Sequence, residues 1–423
     1  MCDHPCEKRC KRSEIDQPLA IRAVKRYISD HMKNYDRLTS KPATGKSEVA
    51  IIGSGPAGLS CAYFLALMQR PSVVFEKQPI PGGMLSLGIP EFRLPKEILY
   101  KEIDFILSHG IELRTSSEVN SAKELLDKGY KAVFIGSGAQ QGKSITIDGI
   151  ENQGVIDALA FLRDRSLGKG LNCEGKKIIV LGGGNAAVDA ARCAMRLGAE
   201  KVTILYRRTR EEMPAYEEEI EEALREGIEI VTLSIPTRII SKNGCLTGIE
   251  FVRAELGTAG EDGRRRPVPV SKSETIIECD IVIPGIGQVS SIETARFDEG
   301  PELTDWNTIN VNPVTLATSV PEIFSGGDCV TGPSTVIEAI AAGQRAAISI
   351  DKLLGGSGTL PNDVGFSFTK PDDEELAKAP PRAKEKTVRL KKQQRGFAEV
   401  ILGFGNKQAL AEAGRCLRCD LEK

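Results

Sequence analysis

The apolar positions of the chain form two similar units, each a short apolar run followed by a glycine-rich turn and a helical stripe. In the first unit, residues 48–53 form an almost unbroken apolar run, and the stripe begins at Pro56. In the second unit, residues 178–181 are aliphatic and a helix is expected over 185–197. Such runs are typical of strands in a parallel sheet that is covered on both faces. Each unit therefore predicts a strand, a tight turn and a helix.

Further apolar runs and stripes continue this pattern along the chain. A helix predicted over residues 21–32 has its packing face at Ile21, Val24, Tyr27, Ile28 and His31. Residues 41–46 are predicted to form a linker, and residues 361–395, rich in Pro, Lys and Asp, a poorly packed arm. The remaining predictions are strands over residues 73–76, 131–136, 201–206, 280–284 and 321–328, helices over 214–226 and 334–354, and a hairpin over 244–269.

The alternation of strands and helices predicts an α/β fold with two Rossmann-like dinucleotide-binding domains. The strand over residues 321–328 and the helix after it return the chain to the first unit, so the second domain is inserted in the first. A short helical, cysteine-rich segment precedes both domains. The expected boundaries are 1–45 for this segment, 46–150 and 290–360 for the first domain, 151–289 for the inserted domain, and 361–423 for a C-terminal arm.

Composition narrows the class of protein without changing this fold. The 423 residues carry a formal net charge of −2 with both signs mixed, so nothing indicates a nucleic acid or a membrane surface as partner. No apolar run reaches the roughly 18 residues of a membrane-spanning helix. The N-terminus lacks the apolar core of a signal peptide. We therefore expect a cytoplasmic protein.

The first glycine loop has the spacing of a dinucleotide site. Gly53 would make the turn, Gly55 would let the backbone approach a pyrophosphate, and Gly58 would let helix and strand pack closely. The helix N-terminus offers free N–H donors to phosphate. Glu76, 18 residues after Gly58, would accept hydrogen bonds from an adenosine ribose and repel a 2′-phosphate, which excludes NADP here. The alternative is a glycine turn without a ligand.

The second glycine loop differs at two informative positions. Its third glycine position is Ala187, and its next strand ends on Arg207 and Arg208 rather than on an acid. Two guanidinium groups at the ribose edge favour a 2′-phosphate, so this loop is assigned to NADP(H). The alternative is that both arginines are solvated surface charges. The later run Arg264 to Arg266 is interpreted as a solvated turn.

A glycine pair followed by an acid, residues 326–328, indicates where a flavin would lie. Asp328 would bind ribityl hydroxyls, and the helix N-terminus near Thr335 and Val336 would face the N1/O2 side of the ring. The alternative is that Asp328 is an ordinary loop residue. With both cofactors bound, hydride passes from nicotinamide to flavin without a general base, so no catalytic residue is assigned.

Five of the eleven cysteines lie near the two ends of the chain: Cys2, Cys6, Cys10, Cys416 and Cys419. Thiolates bind iron–sulfur clusters and zinc, normally four ligands to a site. Five cannot hold two all-cysteine clusters, so a second cluster would need ligands from elsewhere. Zinc or free thiols are the alternatives for both sets.

Several longer motifs occur in order along nearly the whole chain. They are Cys2-Asp3-His4-Pro5-Cys6-Glu7-Lys8-Arg9-Cys10, Asp16-Gln17-Pro18-Leu19-Ala20-Ile21, Gly82-Gly83-Met84, Gly88-Ile89-Pro90, Arg93-Leu94-Pro95-Lys96, Gly182-Gly183-Gly184-Asn185, Tyr206-Arg207-Arg208, Glu212-Met213-Pro214-Ala215, Gly326-Gly327-Asp328 and Glu412-Ala413-Gly414-Arg415-Cys416-Leu417-Arg418-Cys419. This series resembles the small subunit of NADPH-dependent glutamate synthase and its relatives. The relatives include the N-terminal half of dihydropyrimidine dehydrogenase and the large subunit of NADH-dependent ferredoxin:NADP oxidoreductase.

The resemblance implies a disulfide-reductase-like pair of domains with FAD in the first, NADP(H) in the inserted one, and one or two clusters of the 4Fe–4S type. Relatives have more N-terminal cysteines, so one cluster at most is expected in that segment. The predicted FAD residues are Gly53, Gly55, Pro56, Ala57, Gly58, Glu76, Lys77, Gly83, Met84, Gly138, Gly327, Asp328, Thr335 and Val336. The predicted NADP residues are Gly182, Gly184, Asn185, Ala186, Ala187, Arg207, Arg208 and Gly285. The predicted metal ligands are Cys2, Cys6, Cys10, Cys416 and Cys419.

We therefore interpret the chain as an NAD(P)H-dependent FAD oxidoreductase. It would move hydride between NADP(H) and FAD, and single electrons between FAD and iron–sulfur clusters of a larger complex, with or without electron bifurcation. The expected partners are NADPH and other redox subunits with iron–sulfur clusters, and neither nucleic acid nor a membrane. Two alternatives are the small subunit of NADPH-dependent glutamate synthase itself and a non-catalytic nucleotide-binding scaffold subunit.

Overall fold

Two parallel β-sheets organise the chain in a computed structural model that describes residues 2–32, 42–260, 263–360, 380–388 and 396–419. The first sheet consists of β1 (Val49–Ile52), β2 (Ser72–Phe75), β3 (Glu112–Arg114), β4 (Ala132–Ile135) and β15 (Ile323–Ser325). Its strands are all parallel, in the order β15-β4-β1-β2-β3. Every residue of β1 and β4 is buried, which explains their unbroken apolar sequence.

Two long helices cover one face of the first sheet. They are α3 (Pro56–Leu67) and α11 (Val336–Leu353), which share a core with Ile51 and Phe134. The helices lie so close together that a Cβ built on Gly343 would overlap the carbonyl oxygen of Ala57. The other helices that follow strands of this sheet are α4 (Met84–Leu87), α5 (Lys96–Leu107), α6 (Ala122–Asp127) and the short α10 (Asp328–Thr331).

The second parallel sheet is formed by the middle of the chain. Its strands are β6 (Lys177–Leu181), β7 (Lys201–Leu205), β8 (Glu229–Val231) and β13 (Ile281–Pro284), in the order β13-β6-β7-β8. The helices of this region are α7 (Ala158–Ser166), α8 (Asn185–Arg196) and α9 (Glu217–Arg225). They pack against Ile178 and Val180, which point to one face of β6.

An antiparallel sheet covers the other face of the second sheet. It consists of β9 (Ser234–Lys242), β10 (Cys245–Ala259), β11 (Arg265–Pro269) and β12 (Thr275–Glu278). Its Ile249 and Phe251 pack on Ile179 and Leu181, the alternate residues of β6. Outside both layers, β5 (Gln141–Gly142) pairs with β14 (Gln288–Val289) near the two passages of the chain between the parallel sheets.

The two ends of the chain pack on each other. Near the N-terminus α1 (Pro5–Lys8) is followed by α2 (Ile21–Asp30), which lies beside α12 (Asn406–Ala413). The fully buried Arg415 donates to carboxylate oxygens of Glu412 at 2.7 Å and Asp16 at 2.8 Å. Breaking one side of a buried ion pair of this kind typically costs about 3–5 kcal/mol. The N-terminal and C-terminal cysteine motifs therefore belong to one packed unit.

Most predicted strands and helices are confirmed, with their ends shifted by a few residues. The helix predicted over residues 214–226 is wrong at its start, because residues before Glu217 hydrogen-bond to the second glycine loop. The packing face predicted for α2 is also wrong in part, since Ile28 is 60% exposed and the buried residue is Ala23.

Two predicted segments lie partly outside the residues that the structure describes. Most of the arm predicted over residues 361–395 lies outside the described residues, as does the first residue of the 41–46 linker. Within the described ranges, no helix combines the length and apolar character that crossing a membrane requires.

Candidate functional site

The N-termini of α3 and α8, which directly follow the two glycine loops, line one cleft. Gly55 and Ala57 at the start of α3 and Asp328 at the start of α10 form one wall. Asn185 and Ala186 at the start of α8 form another part of the cleft lining. The structure thus brings two predicted nucleotide sites, far apart in the sequence, to a shared space.

The first loop has the geometry expected for a phosphate cradle. Gly53 has φ 95°, and a Cβ there would lie 2.6 Å from the carbonyl oxygen of Gly136. A Cβ on Gly58 would overlap the carbonyl oxygen of Gly53, so only glycine permits this contact between helix and strand. A Cβ on Gly55 would meet no atom within 4 Å, and α3 has no side-chain cap. The space beside Gly55 and the uncapped helix N-terminus together fit a diphosphate.

Glu76 stabilises this loop through hydrogen bonds. It is 2% exposed, and one carboxylate oxygen accepts from the backbone N–H and the hydroxyl of Ser54 at 2.9 and 2.7 Å. The other oxygen accepts from the N–H of Gln78 at 2.8 Å. Neither Glu76 nor the exposed Lys77 lines the cleft in this structure. Their contact with a ribose stays a prediction.

The residues predicted for the flavin ring converge on the same cleft. Gly83, Met84, Gly138, Gly327, Asp328, Thr335 and Val336 all line it. Gly83, at φ 54°, approaches so closely that its Cβ would lie 2.8 Å from Cα of Gly55. Burial raises the pKa of Asp328, whose Oδ1 accepts from the N–H of Ser334 at 3.3 Å. Thr335 caps α11 by accepting from the N–H of Glu338 at 3.2 Å.

The second loop repeats the first with one substitution. Gly182 has φ 127°, and a Cβ there would overlap the carbonyl oxygen of Gly285. Ala187, at the third glycine position, is fully buried against Gly285. Because Gly285 has no side chain, the methyl group of Ala187 fits at this close contact between helix and strand. A Cβ on Gly184 would meet only Pro214, at 3.9 Å, and α8 has no side-chain cap. This N-terminus also fits a diphosphate.

The two arginines after β7 lie in different surroundings. Arg207 is exposed, whereas Arg208 is 7% exposed and its Nε donates to the carbonyl oxygen of Arg265 at 2.8 Å. Among the described residues no carboxylate lies within ion-pairing distance of either guanidinium. The interpretation of the arginines as two equivalent solvated charges is therefore wrong for Arg208.

The cleft residues that the sequence reasoning did not assign to a site include Arg93, Asp189 and Tyr216. Arg93 donates to Oδ2 of Asp189 at 2.6 Å and pairs with Glu219 at 2.9 Å. Burial raises the pKa of Asp189 to about 6, although the charge of Arg93 opposes this. Asp189 lies four residues after Asn185 on the same face of α8, a spacing that the sequence could have revealed.

Tyr216 connects the cleft to the cysteine-rich N-terminal segment. Its backbone N–H donates to Oδ1 of Asn185 at 3.1 Å. Burial and the negative charge of Asp3, with a smaller effect of Cys2, raise the pKa of its hydroxyl. Arg22 of the N-terminal segment also pairs with Glu218 of α9 at 3.0 Å. The N-terminal segment thus packs beside the start of α9.

The five cysteines predicted as metal ligands do not come together as a metal site among the described residues. All five terminal cysteines are free thiols, with Cys6 and Cys419 exposed and Cys2, Cys10 and Cys416 half-buried. Within the described ranges, no three residues among His, Cys, Asp and Glu come together in a way that would hold a metal ion. These residues alone do not fit a cluster, and the assignment stays a prediction.

Comparison with known proteins places the fold and the glycine loops in a family. A family model described as "Pyridine nucleotide-disulphide oxidoreductase" matches residues 47–343. The fold resembles that of Mycobacterium tuberculosis FprA in complex with NADPH, with a TM-score of 0.62, 18% identity, and coverage of 73% of this chain and 85% of FprA. Thioredoxin reductase from T. acidophilum gives a TM-score of 0.57 and 21% identity, covering 72% of this chain and 97% of the reductase. The predicted fold class is confirmed.

Three relatives share more of the sequence. The beta subunit of Moorella thermoacetica NADP(+)-dependent formate dehydrogenase is 40% identical over 99% of this chain, which spans 64% of that subunit. The beta subunit of Geobacter sulfurreducens NADPH-Fe(3+) oxidoreductase is 37% identical, covering 99% of this chain and 68% of the relative. The Escherichia coli glutamate synthase [NADPH] small chain is 36% identical, covering 82% and 78%. The resemblance drawn from the motifs is confirmed.

Proposed function

The chain belongs to the pyridine nucleotide-disulphide oxidoreductase family and, within it, to the glutamate synthase small-subunit-like FAD and NADP oxidoreductases. From this membership we propose a specific route for the electrons. NADPH binds at the second glycine loop, FAD binds at the first, and hydride crosses the cleft between them. One observation carries this proposal: the N-termini of α3 and α8, both uncapped, line the same cleft.

The residues of the first loop fit FAD. The open space beside Gly55 would receive the diphosphate, and Glu76 would orient the loop through Ser54. Asp328 and the start of α11 would hold the ribityl chain and the polar edge of the ring. Bound FAD supplies the chemistry, because it accepts a hydride and releases single electrons.

Arg93 and Asp189 would shape the place where the two cofactors meet. Their ion pair of 2.6 Å links the segment after α4 to the second turn of α8, and both residues line the cleft. Oδ1 of Asp189 is buried without a hydrogen-bond partner among the described residues. A buried acceptor of this kind favours a ligand group with an N–H donor, since an unmet acceptor costs about 1–3 kcal/mol. The carboxamide of nicotinamide offers such a donor.

Selectivity for NADPH follows from the charge of Arg208. A buried guanidinium without a carboxylate partner is costly, and a 2′-phosphate would compensate it. Glu76 is the contrasting residue at the first loop, where a phosphate would be repelled. The same contrast between acid and arginine assigns one nucleotide to each loop.

The terminal cysteines support a role within a larger complex. The three N-terminal cysteines and the pair in the C-terminal motif do not form a closed site among the described residues. We propose that they ligate iron–sulfur clusters together with groups from outside these residues, and that the electrons continue to a redox partner. The relatives named as a beta subunit or small chain favour such an assembly.

The test compares cofactor use by wild type and Arg208→Ala after reconstitution with FAD. Dye reduction by wild type should favour NADPH over NADH. The variant should raise KM for NADPH about 10- to 100-fold, as expected for loss of a hydrogen-bonded charge, and leave KM for NADH unchanged. A flavin content equal to that of wild type controls for folding. Equal use of NADPH and NADH by the wild-type protein would refute the assignment of the second loop.

A further inference from the structure

The hairpin between β10 and β11 contacts Arg208, the second of the two arginines that follow β7. The carbonyl oxygen of Arg265, the first residue of β11, accepts from Nε of Arg208 at 2.8 Å. The side chain of Arg265 reaches the same segment, because its Nε pairs with Oε1 of Glu212 at 3.2 Å. Both contacts join residues more than fifty positions apart in the sequence. Arg265, predicted to lie in a solvated turn, is exposed but begins a strand and makes these two contacts.

The segment that Arg265 contacts folds over the second glycine loop. Tyr206 donates its hydroxyl to the carbonyl oxygen of Glu212 at 2.7 Å, and its ring lies next to Gly183. The N–H of Ala215 donates to the carbonyl oxygen of Gly183 at 3.1 Å. The chain from Tyr206 to Ala215 thus connects the glycine loop directly to the hairpin.

Arg208 differs from the other buried arginines of the described chain. Each of the others forms an ion pair with at least one carboxylate: Arg12 with Asp16, Arg192 with Glu219 and Glu226, Arg196 with Glu226, and Arg415 with Asp16 and Glu412. Arg208 has only the carbonyl oxygen of Arg265 within the described ranges. The guanidinium of Arg208 belongs to a side chain that is 7% exposed, and its hydrogen-bond acceptor is neutral. This arrangement points to an anion that is bound during function.

We propose that Arg265 is a third guanidinium of an anion site formed with Arg207 and Arg208. The site takes a phosphate monoester, which under the proposed function is the 2′-phosphate of NADP(H). The carbonyl oxygen of Arg265 fixes the direction of Arg208. Glu212 holds the side chain of Arg265 through Nε, which leaves its terminal nitrogens for the phosphate. The antiparallel hairpin is therefore part of the selectivity for the cofactor.

The experiment uses the full chain with FAD bound and the variants Arg265→Ala and Arg265→Lys. Arg265→Ala should raise KM for NADPH about tenfold, the lower end for loss of one hydrogen-bonded charge at a half-exposed site. KM for NADH and kcat with either nucleotide should stay unchanged. Arg265→Lys should recover part of the loss, since it keeps the charge without the planar fork.

Arg253→Ala is the matched control, because Arg253 is an exposed arginine of β10 in the same sheet. It should leave both KM values unchanged. Inhibition of NADH-dependent dye reduction by adenosine 2′-monophosphate is a second readout that needs no turnover of NADPH. Its inhibition constant should rise in Arg265→Ala, whereas that of adenosine 5′-monophosphate should not.

The outcomes separate this inference from the function that it rests on. If Arg208→Ala loses NADPH affinity and Arg265→Ala does not, the role of Arg265 is refuted and the NADPH site stands. If Arg265→Ala raises KM for NADPH and NADH equally, its role is structural and the inference is also refuted. If wild type does not discriminate between the two nucleotides, the proposed function fails and this inference fails with it.

Discussion

Replacing Gly55 by alanine should separate cofactor binding from folding. Gly55 precedes α3 with φ −71° and ψ 179°, which alanine adopts without strain, and a Cβ there meets no atom within 4 Å. The apoprotein should fold at least as well as wild type, because a compatible Gly→Ala replacement stabilises by about 0.4–1 kcal/mol. The new methyl group would occupy the space expected to receive the FAD diphosphate.

The cost of this methyl group arises only when FAD is bound. Moving the phosphate away from the N-terminus of α3 loses at least one charge-assisted hydrogen bond, worth about 1.5–3 kcal/mol. Overpacking of the site adds about 1–3 kcal/mol. Even the lower sum, about 2.5 kcal/mol, corresponds to FAD binding that is weaker by roughly sixtyfold.

The assay measures two quantities for each variant: flavin bound per chain after reconstitution, and urea unfolding of the apoprotein. Gly58→Ala is the contrasting variant, since its Cβ would overlap the backbone oxygen of Gly53 whether or not FAD is present. It should lower the unfolding midpoint of the apoprotein, whereas Gly55→Ala should not. Stoichiometric flavin at unchanged affinity in Gly55→Ala would refute the cradle at the first loop.

Two further predictions concern the part of the cleft that α8 lines. Gly184→Ala, whose Cβ would lie 3.9 Å from Pro214, should weaken NADPH binding in an equilibrium titration while flavin content stays that of wild type; loss of flavin instead would contradict the division of the cofactors. Burial raises the folded-state pKa of Asp189 from 3.8 to about 6, so the protonated form stabilises the fold below pH 3.8 and this contribution is lost as pH rises through 6. Asp189→Asn should therefore reduce the decrease in unfolding free energy between pH 3.8 and 6, by at most about 3 kcal/mol. An unchanged pH dependence of this free energy, measured by urea denaturation, would show that Asp189 is not the titrating group.

The glycine loops were predictable because their requirements are local. A positive φ at Gly53 and Gly182 demands glycine, and fully buried parallel strands demand unbroken apolar runs, so residue type alone marks both. The capped start of α11 was predictable for the same reason, since Thr335 and Glu338 form a local capping box. These elements account for the confirmed fold class.

The pairings that complete the cleft and join the chain ends were not predictable, because they join residues distant in the sequence. Arg93 and Asp189 are 96 residues apart, and Arg415 and Asp16 are 399 apart. Nothing in the local pattern around either partner specifies the other. The late start of α9 had a similar cause, since residues before Glu217 contact the second glycine loop rather than continue the amphipathic stripe.

The most direct test of the proposed route is the visible spectrum of the FAD-bound protein after anaerobic addition of NADPH. The account predicts rapid bleaching of the oxidised flavin with NADPH, and much slower bleaching with NADH at the same concentration. The slower rate reflects the guanidinium charge that only a 2′-phosphate compensates. A flavin that is fully bound and stays oxidised in NADPH would contradict hydride transfer across the cleft.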